Sequence, residues 1–474
     1  MKQYKMLVAG ELVAGPSSID VINPANEEVL AQCPVADQAL LDKTVEAAQQ
    51  AFTSWRKTSF TERGELLKKL TAALEQRAEE FARLLTQEQG KPLAQARDEV
   101  MFAQIFANYF ADQSIEAKVL SEDDSQRIEM HRQPLGVVAG ICPWNFPLLI
   151  TLYKIAPAIM AGNTVIIKPA PTTPLSSLLL GEIITDIFPA GVINILCDNN
   201  DLGAAISTHP GIAKVSFTGS TPTGKKIMAS AASTLKRLTL ELGGNDAAIV
   251  LDDVDPGQVA EGIFGAAFLN SGQVCIALKR LYVHDSIYDA LCENIATLAK
   301  QAVVGNGLEE GVQFGPVQNR MQFDKVCGYI ENAKAHGRII AGGEIPQQPG
   351  FCIPLTVVCD IEDGTAVVDE EPFGPILPIV RYSDLDDVID RANSSAFGLG
   401  GSVWSSNLDR ASEVAARIDS GTVWVNHHCA FGPNIPFAPA KESGIGVEWG
   451  EEGFHEFTAM KVVNISKAYS NPVH

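Results

Sequence analysis

The chain has no C-x-x-C spacing, no H-E-x-x-H pattern and no other cluster with metal-ligand spacing. Its nine cysteines are scattered over 474 residues. That argues against a disulfide framework and predicts a reducing, cytoplasmic setting. Positive charge is short as well: 36 Lys and Arg stand against 57 Asp and Glu, a formal charge of −21. A chain this acidic is repelled by phosphate backbones and anionic lipid, so no nucleic acid and no membrane partner is expected. No apolar run is long enough to cross a bilayer. The most apolar region, 135–166, is interrupted by Pro143, Asn145, Pro147, Lys154, Pro157 and Asn163, and reads as buried strand, loop and helix. The segment from Met1 to Leu12 carries two lysines and no apolar stretch, so it does not read as a secretory signal. Internal repeats, low-complexity tracts and long linkers are missing too. The adjacent pair His427-His428 is a poor metal site, because neighbours on a strand face opposite ways, and no metal is expected.

What remains is an α/β pattern. At 474 residues the chain exceeds one compact core and suits two or three domains. Apolar residues recur at helical spacing over 37–57 and 59–89. Ser59 with Glu62 has the form of a capping box, while Gly90 and Pro92 mark a stop and a new start. Phe102, Ile105, Phe106, Tyr109 and Phe110 give a third helix its apolar face. After the acidic run Glu122-Asp123-Asp124 the period changes. Short β-branched runs at 136–141, 164–168, 192–196, 214–218 and 247–251 alternate with helices near 148–161, 174–187, 201–208 and 222–234. Such alternation predicts a parallel sheet covered on both faces. From 257 it resumes, with helices at 257–270, 286–302 and 318–335 and a strand at 280–284, and reads as a second α/β domain. The tail 457–465 reads as a strand, which must pair with something.

Several residues in this frame carry chemistry. The run Phe217-Thr218-Gly219-Ser220-Thr221-Pro222-Thr223-Gly224 leads from a strand through a tight turn into a helix. Ser220 is placed to cap that helix and Pro222 suits its first turn. A helix start of this kind can take a phosphate on its backbone N–H groups, although the G-x-G-x-x-G fingerprint is not met. Cys275, in Asn270-Ser271-Gly272-Gln273-Val274-Cys275-Ile276, offers a thiol that as thiolate can attack a carbonyl carbon. Glu241, in Leu240-Glu241-Leu242-Gly243-Gly244-Asn245, offers a carboxylate that can activate water. Gly272 puts no side chain beside the thiol, and two glycines follow the carboxylate, which leaves room for a flat cofactor. Singly, such a cysteine is more often a buried thiol and such a glutamate a surface carboxylate. Two further motifs change that weighing: Pro143-Trp144-Asn145-Phe146-Pro147 earlier and Glu370-Glu371-Pro372-Phe373-Gly374-Pro375 later.

With these four motifs in order, the chain resembles the NAD(P)-dependent aldehyde dehydrogenase family from about Asn23-Pro24 to about Val463. The resemblance implies an α/β fold with a Rossmann-like cofactor domain, an α/β catalytic domain and a small β oligomerisation element. The expected partition is 1–116 with 133–245 for the dinucleotide, 246–440 for catalysis, and 117–132 with 455–474 for assembly into a homodimer or homotetramer. The implied catalytic set is Cys275 as nucleophile, Glu241 as base, Asn145 as oxyanion donor with the Cys275 backbone N–H, and Lys154 as a cation helping the thiolate through water. Around the cofactor the resemblance puts Ile141, Pro143, Trp144, Lys168, Gly203, Phe217, Gly219, Ser220, Leu242, Gly243, Gln322, Glu371 and Phe373. Lys168 then reaches the adenosine ribose, and Glu371 with Phe373 holds the nicotinamide ribose. The implied substrate tunnel is lined by Phe146, Ile150, Tyr153, Val274, Ile276, Phe431 and Phe437, with the Tyr153 hydroxyl as its only polar handle.

Departures from the family pattern matter here. Where many NAD-preferring members read Lys-Pro-Ser-Glu, this chain reads Lys168-Pro169-Ala170-Pro171, without the acid that accepts from ribose hydroxyls. NAD remains the expected cofactor, with NADP open. No arginine stands in 426–437 to grip a distal carboxylate, so the expected substrate is a small-molecule aldehyde, uncharged, with an aliphatic or aromatic tail. Phe437-Ala438-Pro439-Ala440-Lys441 replaces a Phe-Gly-Gly run and stiffens the loop at the tunnel mouth. The readings held against this one are a semialdehyde or betaine-type aldehyde dehydrogenase, a CoA-acylating relative, a thiol hydrolase, and a silent binding protein with the same fold.

Overall fold

In the computed structural model, which describes residues 3–468, the α/β alternation resolves into two large sheets. Positions 1–2 and 469–474, the ends of two expected segments, lie outside the described residues. The first sheet has a parallel centre in the order Ile193–Ile195, Thr164–Lys168, Val137–Ile141, Lys214–Thr218, Arg237–Glu241. Met6–Val8 and Glu11–Val13 extend one edge antiparallel, and Gly444–Ile445 closes the other. The three middle strands are buried along their whole length, as a sheet covered on both faces requires. Chain order steps outward from Val137–Ile141 in one direction and then restarts at Lys214–Thr218 in the other. That reversal is a switch point, and the crevice beyond the carboxyl ends of those two strands is where such sheets hold ligands.

The second sheet has the order Arg338–Ala341, Thr356–Cys359, Ile376–Tyr382, Leu278–His284, Asp246–Val250, Gly400–Trp404, Thr422–Val425. All its pairs are parallel except the first. The strand read at 247–251 therefore belongs to the middle of this sheet and does not continue the first series. Only 242–245 separate the last residue of Arg237–Glu241 from Asp246, so Glu241 ends a strand of the first sheet just before the chain enters the second. The helix Pro147–Met160 is buried on all sides, and no helix among the described residues is long and apolar enough to cross a membrane.

The helical reading of 59–89 splits in the structure. Phe60–Gln76 and Ala78–Gln89 meet at Arg77, whose side chain is tied to Glu80 and Glu182. The Ser59–Glu62 capping box is present, and Gly90 ends the second helix at φ 100°. The tail strand Thr458–Ser466 pairs antiparallel with Gln126–Pro134 of its own chain over its full length. Lys118–Glu122 completes that three-stranded sheet, on which Val119, Leu120, Met460 and Val462 are exposed.

Candidate active site

The loop before Cys275 is held by polar side chains. After the helix Pro256–Phe268 the backbone turns through three left-handed residues, Asn270, Ser271 and Gly272, at φ 49°, 56° and 72°. For the two non-glycine residues such angles are costly and persist only when the surroundings enforce them. Here Ser271 Oγ donates to Gly315 O at 2.7 Å. Gln273 Nε2 donates to Asn270 O at 2.9 Å, and its Oε1 accepts from Gln318 N at 2.8 Å. A Cβ on Gly272 would come within 2.2 Å of Gly374 O. The glycine thus admits the backbone of 371–375, where the sequence suggested open room beside the thiol.

The same correction applies after Glu241. A Cβ on Gly243 would meet Glu371 Oε2 at 2.4 Å, and one on Gly244 would meet Cys275 O at 2.6 Å. These glycines let the nucleophile loop, Glu371 and the Glu241 strand close on one another. Glu371 Oε1 accepts from Gly244 N at 3.1 Å and pairs with Lys279 Nζ at 3.4 Å. Lys279 also donates to Cys275 O at 2.6 Å.

Burial pushes the Cys275 thiol up to about 12, with Glu241, Glu371 and Asp246 adding to the rise and Lys279 opposing it. Lys154 is occupied elsewhere: its ammonium donates to Ser216 Oγ at 2.7 Å and Glu448 Oε1 at 2.9 Å. The cation that bears on the thiol is therefore Lys279, while Lys154 bears on Glu241. Among the described residues neither carboxylate oxygen of Glu241 has a partner, and the residue is 4% exposed. Burial first, then Glu448, holds its carboxyl well above the usual range, with Lys154 opposing.

Asn145 lies at the entry to the helix Pro147–Met160. Its Nδ2 donates to Gln273 O at 3.1 Å, leaving the second amide hydrogen free, and its Oδ1 has no partner. Its main-chain carbonyl accepts from Lys91 Nζ at 3.0 Å and Asn270 Nδ2 at 3.2 Å. Lys91 is paired with Glu99, whose other oxygen accepts from Leu148 N at 3.0 Å and Leu149 N at 3.3 Å. A buried ion pair thereby pins the turn that carries Asn145. Among the described residues no acceptor takes the Cys275 amide.

At the switch point, Ile141 registers with Lys168 and with Phe217, and Thr218 registers with Glu241. The expected cap by Ser220 is not made. Its Oγ bonds Thr223 Oγ1 at 3.0 Å, so the first amides of the helix Thr221–Ala231 carry no side-chain cap. Gly219 lies under the Phe217 ring and Gly224 under Leu242. Trp144 meets Phe373 edge to face at 5.3 Å, and Pro143 beside it is half-buried. Gln322 Nε2 donates to Pro372 O at 2.8 Å and Phe373 O at 3.1 Å, so it fixes the Glu371–Phe373 turn. Lys168 is paired with Asp198, and Gly203 opens the short helix Gly203–Thr208 just beyond.

Ile150, Tyr153, Val274, Ile276 and Phe437 share one core cluster, against which Cys275, Phe146 and Phe431 pack. Phe431 also touches Phe102, Phe106 and Trp449 at 5.6–6.2 Å between ring centres. Trp449 stacks on Phe437 at 4.9 Å and meets Tyr153 at 5.6 Å. Its indole Nε1 is buried without a partner. The Tyr153 hydroxyl, 3.5 Å from Thr218 Oγ1, is thus not the only polar handle of this cluster. His428 is engaged with Ser402 Oγ and Ile276 O, both at 2.9 Å.

A family model described as aldehyde dehydrogenase family matches residues 13–463. Phenylacetaldehyde dehydrogenase of Pseudomonas fluorescens is 38% identical, covering 98% of this chain and 96% of its own. Retinaldehyde dehydrogenase 3 of Rattus norvegicus is 39% identical, covering 95% of this chain and 90% of its own. A solved NAD+ complex of aldehyde dehydrogenase from Bacillus cereus superposes with a TM-score of 0.96 at 35% identity, covering 98% and 97% of the two chains.

Proposed function

The chain belongs to the aldehyde dehydrogenase family, and from that premise we propose that it oxidises an uncharged aldehyde with an aromatic or aliphatic tail to the carboxylate. The observation that carries this reading is the packing of Cys275 and Phe431 against the cluster of Tyr153, Phe437 and Trp449, with the Asn145 amide on Gln273 O and the Glu241 carboxylate bearing on the same thiol. The substrate names of two relatives, phenylacetaldehyde and retinaldehyde, support an apolar tail.

The residues present fit NAD(P). An uncapped helix start lies at the switch point, a lysine ends the neighbouring strand, and Glu371 is clamped by Gly244 N and Lys279. When bound, NAD(P)+ supplies the hydride acceptor. The chain's own residues supply the rest. The Cys275 thiolate attacks the aldehyde carbon, and the former carbonyl oxygen becomes an oxyanion. The free Asn145 amide hydrogen and the Cys275 backbone N–H stabilise that charge. Loss of the aldehydic hydrogen with its electron pair leaves a thioester on Cys275. Glu241 takes a proton from water, the resulting hydroxyl attacks the thioester, and the carboxylic acid leaves as the thiol is restored.

The test is a scan of straight-chain, aromatic and acidic aldehydes, followed by the absorbance of the reduced nicotinamide. Turnover of the apolar aldehydes is expected. Turnover confined to acidic semialdehydes would overturn the substrate class, and NAD binding without any turnover would favour a silent binding protein. Asn145→Ala should lower kcat by about 10²–10³, the usual effect of losing one oxyanion donor, with NAD affinity unchanged. A fall in NAD affinity of the same size would assign Asn145 to the cofactor instead.

The same proposal divides the chain into a cofactor part (1–116 and 133–245), a catalytic part (246–440) and an assembly element (117–132 with 455–474). The exposed Val119, Leu120, Met460 and Val462 support assembly into a homodimer or homotetramer through that element. Light scattering at two concentrations decides it, a monomer being the adverse result. Nine free cysteines accord with a cytoplasmic location.

A further inference from the structure

The adenosine end of the crevice has a carboxylate that the sequence pattern did not lead one to expect. Lys168 ends a central strand with its ammonium 2.5 Å from Asp198 Oδ1 and 3.4 Å from Pro169 O. Asp198 follows the neighbouring strand Ile193–Ile195, and its second oxygen accepts from Leu202 N at 3.1 Å. The Asp198 side chain is 0% exposed and that of Lys168 is 7% exposed. Two of the three ammonium hydrogens are engaged within the protein, which leaves one for a ligand.

We propose that the Lys168–Asp198 pair selects NAD over NADP. This rests on the reading of Lys168 as the residue that reaches the adenosine ribose. One free N–H suffices for a neutral ribose hydroxyl. The 2′-phosphate of NADP brings up to two negative charges to the same place, and such a group needs net positive charge and several donors. A lysine already bonded to a carboxylate at 2.5 Å presents a neutral pair with a single donor. The turn that follows, Pro169-Ala170-Pro171, adds neither a cation nor an acid. In many members of the family an acid three residues after the lysine accepts the ribose hydroxyls. Here the acid, Asp198, comes from just beyond the next strand and acts on the lysine instead.

Calorimetric titration of the whole chain with NAD and with NADP, without aldehyde, tests this. The wild-type protein should bind NAD at least about tenfold more tightly. Asp198→Asn frees the Lys168 charge and should tighten NADP by about tenfold, the factor that one pKa unit or 1.4 kcal/mol represents. NAD should change by less than about threefold, and Asp198→Glu should keep the wild-type ratio. An unchanged ratio in Asp198→Asn, or wild-type affinities equal for the two cofactors, overturns the proposal. Failure to bind either cofactor would instead overturn the cofactor reading on which it stands. Should Asp198→Asn not fold, salt decides on the wild-type protein. A neutral pair predicts an NAD-to-NADP ratio nearly independent of ionic strength. An NADP affinity that falls with salt much more steeply than that for NAD would show an unneutralised cation and sink the idea.

Discussion

Cys275→Ala should abolish aldehyde-dependent formation of NADH, a loss on the order of 10⁶ as for other covalent catalysts stripped of their nucleophile, while NAD still binds. The expectation rests on the loop that carries the thiol. Its left-handed residues are fixed by Ser271, Gln273 and Asn270, none of which the substitution touches. The alternative thiols to weigh are Cys429 and Cys142. Cys429 donates its thiol to Ile276 O at 2.9 Å, and the buried Cys142 is pushed up to about 11. Neither is followed by a lysine holding its own carbonyl, as Lys279 holds that of Cys275. Because burial raises the Cys275 thiol to about 12, the thiolate is scarce in the free protein near neutrality. Alkylation of Cys275 by iodoacetamide should therefore accelerate about tenfold for each unit by which pH is raised towards that value. Activity persisting in Cys275→Ala, with alkylation moving to Cys429, would transfer the nucleophile to the latter.

How much of this was legible depended on the range of the interaction. Strands 164–168 and 214–218 match the structure residue for residue, because β-branched runs between turn residues are local signals. The Ser59–Glu62 cap is equally local. Cys275, Glu241 and Asn145 stood out by motif; in the structure the Asn145 amide bonds Gln273 O two residues before Cys275, and the Glu241 charge bears on the Cys275 thiol. The partners that fix them did not stand out. Lys91 sits between the breakers Gly90 and Pro92, yet it reaches the Asn145 carbonyl from 54 residues away and is held there by Glu99. Glu448 reaches Lys154 across 294 residues, and Lys279 lies near the start of a buried strand. Trp449 follows Glu448 in a stretch without periodicity, so its place against Phe437 could only come from tertiary structure. The roles proposed for the glycines changed for the same reason. A sequence shows that a side chain is missing, and only the fold shows which neighbour occupies the space.

Glu241→Gln should leave a single burst of NADH and slow steady turnover by about 10²–10⁴, the usual contribution of a general base. Thioester formation does not need the carboxylate, whereas its hydrolysis does. The acyl-enzyme should therefore accumulate and be visible by mass spectrometry as an adduct on Cys275. The same substitution should make the protein more stable. Glu241 is buried, both its oxygens lack partners, and its carboxyl is held well above the usual range. In the unfolded chain it ionises near ~4.3. Between that pH and the raised folded value, the native state binds more protons than the unfolded state. Stability therefore falls as pH rises through that window. Glutamine has nearly the same shape and no charge to desolvate, so the Tm advantage of Glu241→Gln should be absent at pH 4 and grow towards neutrality. A scan of Tm against pH on both proteins measures it. Equal Tm at all pH values would mean that water or a bound group satisfies the carboxylate in the resting protein. Undiminished steady turnover would remove Glu241 as the base. If both hold as expected, the residue is one whose placement costs the fold stability in order to keep a proton acceptor ready beside the thioester.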